Sequence, residues 1–287
     1  MFDIDKLEFK KLDLNGLKTL VSWAETEGWN PGLSDTDVFW KTDPDGFLGF
    51  YFNNSLIAGG AIVSYNDEFG FMGLFIVKSE YRNLGIGKKL WYLRRDMLIE
   101  RLKNNSSIGM DGVVDMQPFY QKGGFEIAFI DKRYEKIGIE LPVSEKVKPI
   151  VEEDFNQILD YDKKCFGFIR PQFLKLWLNL PESRTYKYSE NNELKGFAVL
   201  RKCSSGFKIG PLFADNDNIA EELYKACLNS AIGNSVYLDI PMINNGAVKM
   251  VGKYNAKYVF ECARMYKGSP PQVDVSKVYG ITTFELG

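Results

Sequence analysis

The sequence contains no histidine. That excludes an imidazole general base, a Ser-His-Asp or Cys-His nucleophile, and any His-ligated zinc or haem. Proton transfer near neutral pH then falls to a tuned Glu, Asp, Tyr, Cys or Lys, to a terminus, or to water. Cysteine is scarce as well. Cys165, Cys203, Cys227 and Cys262 are widely spaced and form no C-x-x-C pair, so neither a zinc knuckle nor a redox dithiol is readable, and reduced, buried thiols are expected. No apolar run approaches the roughly 20 residues that span a bilayer; residues 71–77 are typical of the longest. Met1-Phe2-Asp3-Ile4-Asp5-Lys6 is charged and does not read as a signal peptide, so a cytoplasmic location and no membrane partner are expected. Charge of one sign is also lacking. Lys+Arg number 36 against 38 Asp+Glu, which gives no ground for a nucleic-acid partner. What remains is ordinary globular usage, 45% hydrophobic and 26% charged over 287 residues, enough for one large domain or two small ones.

Alternation over residues 7–11 predicts a short edge strand, and Asp13 is placed to cap a helix over residues 14–27. Gly28-Trp29-Asn30-Pro31-Gly32 breaks that helix, and a second short one follows Ser34 or Asp35. Strands are predicted over Phe47–Phe52, residues 56–65 and Phe69–Val77, the last nearly all apolar as a central strand should be. A helix over residues 86–103, a strand over 108–114 and a short helix over Gln117–Lys122 follow. A final hairpin is expected from residues 125–130 and 132–139. Leu141-Pro142 marks the boundary between a first domain, 1–140, and a second, 141–287. The second repeats the first in order: Leu194-Lys195-Gly196-Phe197 matches Ile57-Ala58-Gly59-Gly60, residues 206–213 match 70–75, residues 235–240 match the fifth strand, and Phe260-Glu261 matches Phe125-Glu126. Residues 281–286, β-branched and aromatic, are expected to dock as a strand.

Chemistry concentrates where the central strand runs through Phe75, Ile76 and Val77 into Lys78-Ser79-Glu80-Tyr81-Arg82-Asn83-Leu84-Gly85-Ile86-Gly87-Lys88-Lys89 and then directly into a helix. A helix start offers unpaired amides and a positive dipole end, and glycines lacking Cβ let an anion approach the backbone. Arg82, Lys88 and Lys89 add positive charge. The spacing fits a pyrophosphate. It is not a dinucleotide fingerprint, because Leu90 stands where a third glycine belongs, and no Walker A pattern occurs.

Arg82-Asn83-Leu84-Gly85-Ile86-Gly87 resembles the R/Q-x-x-G-x-G/A signature of the GNAT superfamily of acetyl-CoA-dependent N-acetyltransferases, and Tyr120-Gln121-Lys122-Gly123-Gly124-Phe125 resembles its Tyr-x-x-x-Gly-Phe element. Glu27 to Gly32, Asp43 to Leu48, Met110 to Val113 and the ending Gly280 to Gly287 are similar to a subgroup with a second, degenerate GNAT-like domain. The resemblance implies an α/β (α+β mixed sheet) fold with two tandem GNAT-like domains, each a mostly antiparallel mixed sheet flanked by helices. It implies that the pantetheine of acetyl-CoA lies along Phe75, Ile76 and Val77. The phosphates would lie on the segment Arg82, Asn83, Leu84, Gly85, Ile86, Gly87 and Lys88, with no metal. A small-molecule primary amine would enter from the opposite side and attack the thioester directly. Tyr120 matches the residue that protonates or steadies the departing thiolate. For the base, Asp115 is the preferred candidate by location; Glu80, Asp67, Glu68 and a water chain stay open. Trp29, Asn30 and Trp40 fall in the segment that covers the acceptor. Val113 and Val114 stand where many relatives carry a cofactor-binding Asn.

The second half lacks both elements. Its fourth strand leads into Phe213-Ala214-Asp215-Asn216-Asp217-Asn218, where two aspartates would repel a phosphate. It is expected not to bind coenzyme A but to complete the acceptor pocket or brace the first half, with Tyr161, Arg170 and Trp177 as pocket candidates. The alternative function is a non-catalytic acyl-CoA-binding sensor. A monomer or a homodimer is expected.

Overall fold

A computed structural model describes residues 4–287; Met1, Phe2 and Asp3, read above as part of a charged start, lie outside the described residues. The first half runs β1 (Glu8–Lys11), α1 (Leu14–Thr26), α2 (Asp35–Thr42), β2 (Phe47–Phe52), β3 (Ser55–Tyr65), β4 (Phe69–Val77), α3 (Ile86–Glu100), β5 (Ser107–Val113), α4 (Gln117–Lys122) and β6 (Glu126–Ile137). The second runs β7 (Val147–Pro149), α5 (Phe155–Phe166), α6 (Pro171–Leu178), β8 (Arg184–Glu190), β9 (Glu193–Lys202), β10 (Phe207–Ala214), α7 (Asp217–Asn229), β11 (Ser235–Pro241), α8 (Asn245–Lys253), β12 (Lys257–Lys267) and the added β13 (Val278–Gly280). Up to β12 the second series repeats the first element for element. Local chemistry accounts for the elements. Asp13 caps α1 by accepting from the Gly16 amide at 2.7 Å, and α1 buries Leu17, Leu20, Val21 and Ala24 on one face. β3 and β4 are apolar almost throughout because helices cover both of their faces.

All the strands join one 13-stranded sheet in the order β1-β2-β3-β4-β5-β12-β6-β11-β10-β9-β8-β7, with β13 beside β10. β4–β5 and β10–β11 pair in parallel, and the other pairs are antiparallel. The two halves exchange their last strands. β12 completes the sheet of the first half against β5, β6 completes that of the second against β11, and the exchanged strands pair with each other at the centre. This corrects the expected final hairpin. Within residues 125–139, Glu126–Ile137 form one 12-residue strand, because β6 finds partners on both edges, β12 and β11, and needs no turn back upon itself.

One core packs α1, α2 and α6 against one face of the first-half sheet; a second packs α3 and α4 against the other. The expected tail strand is also corrected. Only Val278–Gly280 is a strand, and residues 281–287 are irregular yet buried except for half-buried Phe284. They dock through side chains and capped carbonyls rather than through a ladder. Leu286 enters the α1 core, the Tyr65 hydroxyl donates to the Leu286 carbonyl at 2.9 Å, and Arg170 Nη1 donates to the Gly287 carbonyl at 2.9 Å.

Candidate functional site

β4 and β5 pair only from Phe69–Ser107 to Met72–Met110; beyond that β5 follows β12 and the two strands part. At the parting point Leu74 has φ 50, and Leu74 and Phe75 together face Gly60, a bulge in β4. Positive φ at a bulky residue is a point of real strain, and a buried side chain holds it in place. Arg94 of α3 donates Nη2 to the Gly73 carbonyl at 2.8 Å and to that of Ala61. A Cβ on Gly60 would lie 2.2 Å from the Arg94 guanidinium carbon, so only glycine admits it. Burial pushes Arg94 down to about 9, the nearby Tyr120 pulling the other way. The parted strands open a cleft of about 600 Å³ that passes through the sheet.

The glycine-bearing segment from Arg82 to Lys88 lies along this cleft. Asn83 (φ 63) and Gly85 (φ 81) are left-handed, and Gly85 caps α3 without a side-chain acceptor, so the first amides of the helix stay open. Gly87 is more telling. A Cβ there would meet only the Val77 and Phe75 side chains at 3.4 and 3.5 Å, ordinary contact, so the packing of the chain does not itself require glycine. What glycine provides there is backbone reachable from the cleft. Phe75, Ile76, Val77, Arg82, Asn83, Gly85, Gly87 and Lys88 all line it. Leu84 is exposed outside it, and Ile86 is buried beneath the loop with Phe50, Ile57 and Leu90. Arg82 is already engaged. Its Nε donates to the Val77 carbonyl at 2.9 Å and its Nη2 to Glu27, which ties the end of β4 to the end of α1.

Across the cleft, Tyr120 of α4 lines the wall and stacks on Trp91 at 5.9 Å. The following Gly123 makes room for Trp91, whose ring a Cβ would strike at 2.0 Å, and Gly124 (φ 90) turns the chain into β6. Burial raises the proton affinity of the Tyr120 phenol, with the Arg94 charge opposing. Asp115 is exposed and lines the mouth of the cleft. Asp67 and Glu68 pair with Lys103 at the far turn, and exposed Glu80 bonds Lys78 and Ser79; none of the three lines the cleft.

On the opposite face of the sheet the cleft is lined by Trp29, Arg133, Phe260, Phe284 and Glu285, and Asp111 sits at its inner end. Trp29 is thus among the residues that line the cleft. Asn30 is not: its side chain exchanges hydrogen bonds with the Ser205 backbone at 2.8 and 2.9 Å, clasping the β9–β10 turn. Trp40 stacks on Phe47 in the core. Tyr161, Arg170 and Trp177 also lie off the cleft, held by Asp215, Asp162 and the Gly210 carbonyl. Sequence reasoning missed Arg133, Phe260 and Cys262, which strand exchange brings in, and Phe284 and Glu285 of the tail. Arg133 is fixed by Asp239 at 2.6 and 2.9 Å, and its Nη1 donates to the Trp29 carbonyl at 3.0 Å. Asp111 is held by Arg264 at 2.7 and 2.9 Å, while burial pushes it up to about 6. Among the described residues no group of three or more metal-ligating side chains occurs, and no helix is long and apolar enough to cross a membrane.

In the second half the helix start is capped and the strand gap is filled, although a shallow, open hollow lies at residues 215–218. Asn216 caps α7 by accepting from the Ile219 amide at 3.1 Å, and Asp215 takes the Tyr161 hydroxyl and the Lys277 ammonium, each at 2.9 Å. β13 pairs with β10 at Leu212 and Phe213 beside β11 and fills the gap that β4 and β5 leave open. The chain's own backbone thus lies where the first half has a cleft.

Comparison with known proteins agrees with a duplication. Residues 14–125 match the profile described as "Acetyltransferase (GNAT) family", and residues 158–280 match one described as "Acetyltransferase (GNAT) domain". The chain is similar to the holothin acyltransferase of Pseudoalteromonas sp. (strain SANK 73390), 28% identical over 282 residues, covering 97% of this chain and 94% of that one. Among solved structures, a Pyrococcus horikoshii protein provisionally assigned as an acetyltransferase superposes with a TM-score of 0.85 at 22% identity, covering 100% of this chain and 98% of that one. A tandem GNAT protein from the clavulanic acid biosynthesis pathway gives 0.64 at 11% identity, covering 93% and 99%.

Proposed function

We propose, from the premise that this chain belongs to the GNAT acetyltransferase family and is an acyltransferase with two such domains in tandem, that it moves an acetyl group from acetyl-CoA to a primary amine of a small molecule. The observation that carries this reading is the joining of an open, glycine-lined helix start to a cleft through the sheet. The diphosphate lies on the amides from Asn83 to Lys88, against the α3 dipole and beside Lys88. The pantetheine arm runs along Phe75 to Val77, where β5 no longer pairs with β4 and backbone groups face the cleft. The acyl carbon comes to the parting of the strands, and the amine reaches it from the Trp29 and Phe284 side. Holding both reactants in one geometry supplies much of the acceleration, and no covalent enzyme intermediate is needed. Tyr120 steadies the departing thiolate. A phenol whose proton affinity is raised by burial holds its proton more tightly than a thiol does, so it acts by donating a hydrogen bond; complete transfer is uphill. The second domain binds no coenzyme A. It supplies β12 and the tail, hence part of the acceptor wall.

The test is calorimetry with acetyl-CoA, followed by a panel of amines read by released coenzyme A thiol. One site per chain and turnover with some amine are expected. Two sites would overturn the asymmetry between the halves. Binding with no transfer to any amine would favour an acyl-CoA sensor, and no binding at all would refute the assignment of the loop.

A further inference from the structure

Resting on the acyltransferase reading above, we propose that Glu285 is a catalytic carboxylate of this site, which binds the ammonium group of an alkylamine acceptor and takes its proton. The contrast among buried carboxylates carries the proposal. Asp35 is held by Arg201 at 3.1 Å, Asp43 by Arg101 at 2.6 Å, Asp111 by Arg264 at 2.7 Å, Asp162 by Arg170 at 2.8 Å and Asp239 by Arg133 at 2.6 Å. Glu285 is 3% exposed and has no such cation among the described residues; its carboxylate accepts from the Thr283 hydroxyl. Asp131 is also buried without a partner, but it does not line the cleft, whereas Glu285 does. A buried carboxylate is costly until a cation and hydrogen-bond donors face it, and the open side of Glu285 is the cleft.

Its position fits the acceptor end. The Glu285 backbone packs on Gly73, one residue before the Leu74 bulge where β4 and β5 part. Phe71 and Leu74, on either side of Gly73, and Leu286, which follows Glu285, belong to the core on the α1 side of the sheet, and Tyr120 to the core on the other. The charges that face it are committed elsewhere. Arg133 and Arg201 are held by Asp239 and Asp35, Lys208 donates to the Trp29 carbonyl at 2.9 Å, and Asp111 is held by Arg264. Trp29, Phe260 and Phe284 offer apolar walls for the carbon part of the acceptor.

In the reaction, one N–H bond of the ammonium breaks and its proton passes to the Glu285 carboxylate, leaving a neutral amine. The freed lone pair forms the C–N bond to the thioester carbon, and the C–S bond breaks with its electron pair leaving on sulfur. The extra proton on the new amide nitrogen goes to the thiolate. Glu285 then releases its proton to water at the mouth of the cleft. The products are an amide, the coenzyme A thiol and one proton.

The experiment compares the parent protein with Glu285→Gln on two amines of similar shape: benzylamine, charged at neutral pH, and aniline, neutral there. Acetyl-CoA affinity, expected within about twofold of the parent, reports that the fold is intact. For benzylamine, kcat/KM is expected to fall about 100-fold or more, the ordinary worth of a positioned base. For aniline, which brings no ammonium proton, the fall is expected to stay below about tenfold. Calorimetric binding of benzylammonium without acetyl donor is expected to weaken about tenfold, whether or not turnover is seen. Equal losses on both amines, or none, would overturn the proposal. If Glu285→Gln does not fold, Glu285→Asp enters the same comparison, with a smaller difference of the same sign. Benzylammonium binding that depends on Glu285, in a parent that transfers nothing, would refute the transferase reading while supporting the ammonium site. Equal transfer by parent and variant would refute the role of Glu285 and leave the transferase reading intact.

Discussion

Gly73→Ala tests how the proposed acceptor side is built. A Cβ at Gly73 would lie 1.9 Å from the Glu285 carbonyl oxygen and 2.7 Å from its carbonyl carbon. Both are backbone atoms and cannot swing aside. Either β4 bends or residues 283–287 lift. Overpacking a well-filled site costs about 1–3 kcal/mol. Lifting the tail gives up the burial of Leu286, about 1.5–3 kcal/mol, and the hydrogen bonds from Tyr65 and Arg170 to tail carbonyls, about 1–3 kcal/mol each with the donors buried. The chain takes the cheaper route, and the reduced backbone freedom of alanine in the unfolded state returns about 0.5–1 kcal/mol. A net loss of roughly 1–2 kcal/mol is expected, a fall in Tm on the order of 2–8 °C by calorimetry. The kinetic signature matters more. The phosphate loop is untouched, so acetyl-CoA affinity should hold while kcat/KM for the amine falls. Gly252→Ala in α8, where a Cβ meets nothing, is the control and should gain about 0.5–1 kcal/mol. A Gly73→Ala protein with the parent's Tm and amine kinetics would refute this account of tail docking.

Gly87→Glu should keep the parent's Tm, since its Cβ meets only ordinary contacts, yet lose acetyl-CoA binding by about 100-fold or more as a carboxylate faces phosphate; unchanged calorimetric affinity would refute the loop assignment. Tyr120→Phe should lower kcat about tenfold or more with acetyl-CoA affinity spared, and an unchanged rate would remove Tyr120 from the mechanism. Asp131→Asn should stabilise the protein at neutral pH. Burial, with Asp111 adding to it, raises the folded-state pKa of Asp131, so above about pH 4 the unfolded chain releases a proton that the folded one keeps, and parent stability falls by about 1.4 kcal/mol per pH unit up to the folded pKa. The variant lacks that slope, so its advantage in urea melts should grow from pH 4 upward; an advantage that shrinks with pH would refute the assignment.

The first half and the loop were legible because their signals are local. Asp13 caps α1, the apolar run over Phe69–Val77 announces a strand covered on both faces, and the glycines after it mark a helix start. The repeat was legible because each β strand of the second half keeps its own pattern. Strand exchange was not, since the period-two pattern of β6 and β12 states that each is a strand but not whose edge it joins. The proposed acceptor wall was illegible for the same reason. Phe260 reaches the cleft through exchange, and Glu285 through a tail whose β-branched run suggested a ladder but whose docking rests on Leu286, Tyr65 and Arg170. Trp40 was misleading because an aromatic after a helix break serves core packing as readily as a pocket.

The exchange also sets how the protein comes into being. Central pairs such as Asp111 with Arg264 join residues 153 positions apart, and the bond from Tyr65 to Leu286 spans 221. Closing such distances before any contact stabilises them is slow, so folding should lag well behind that of two independent domains of this size. During synthesis the first half waits with the β5 edge uncovered until β12 has emerged, a period of exposure to edge-on association. Melting, by contrast, should proceed as one transition rather than two, since neither half keeps a finished sheet once the other is lost.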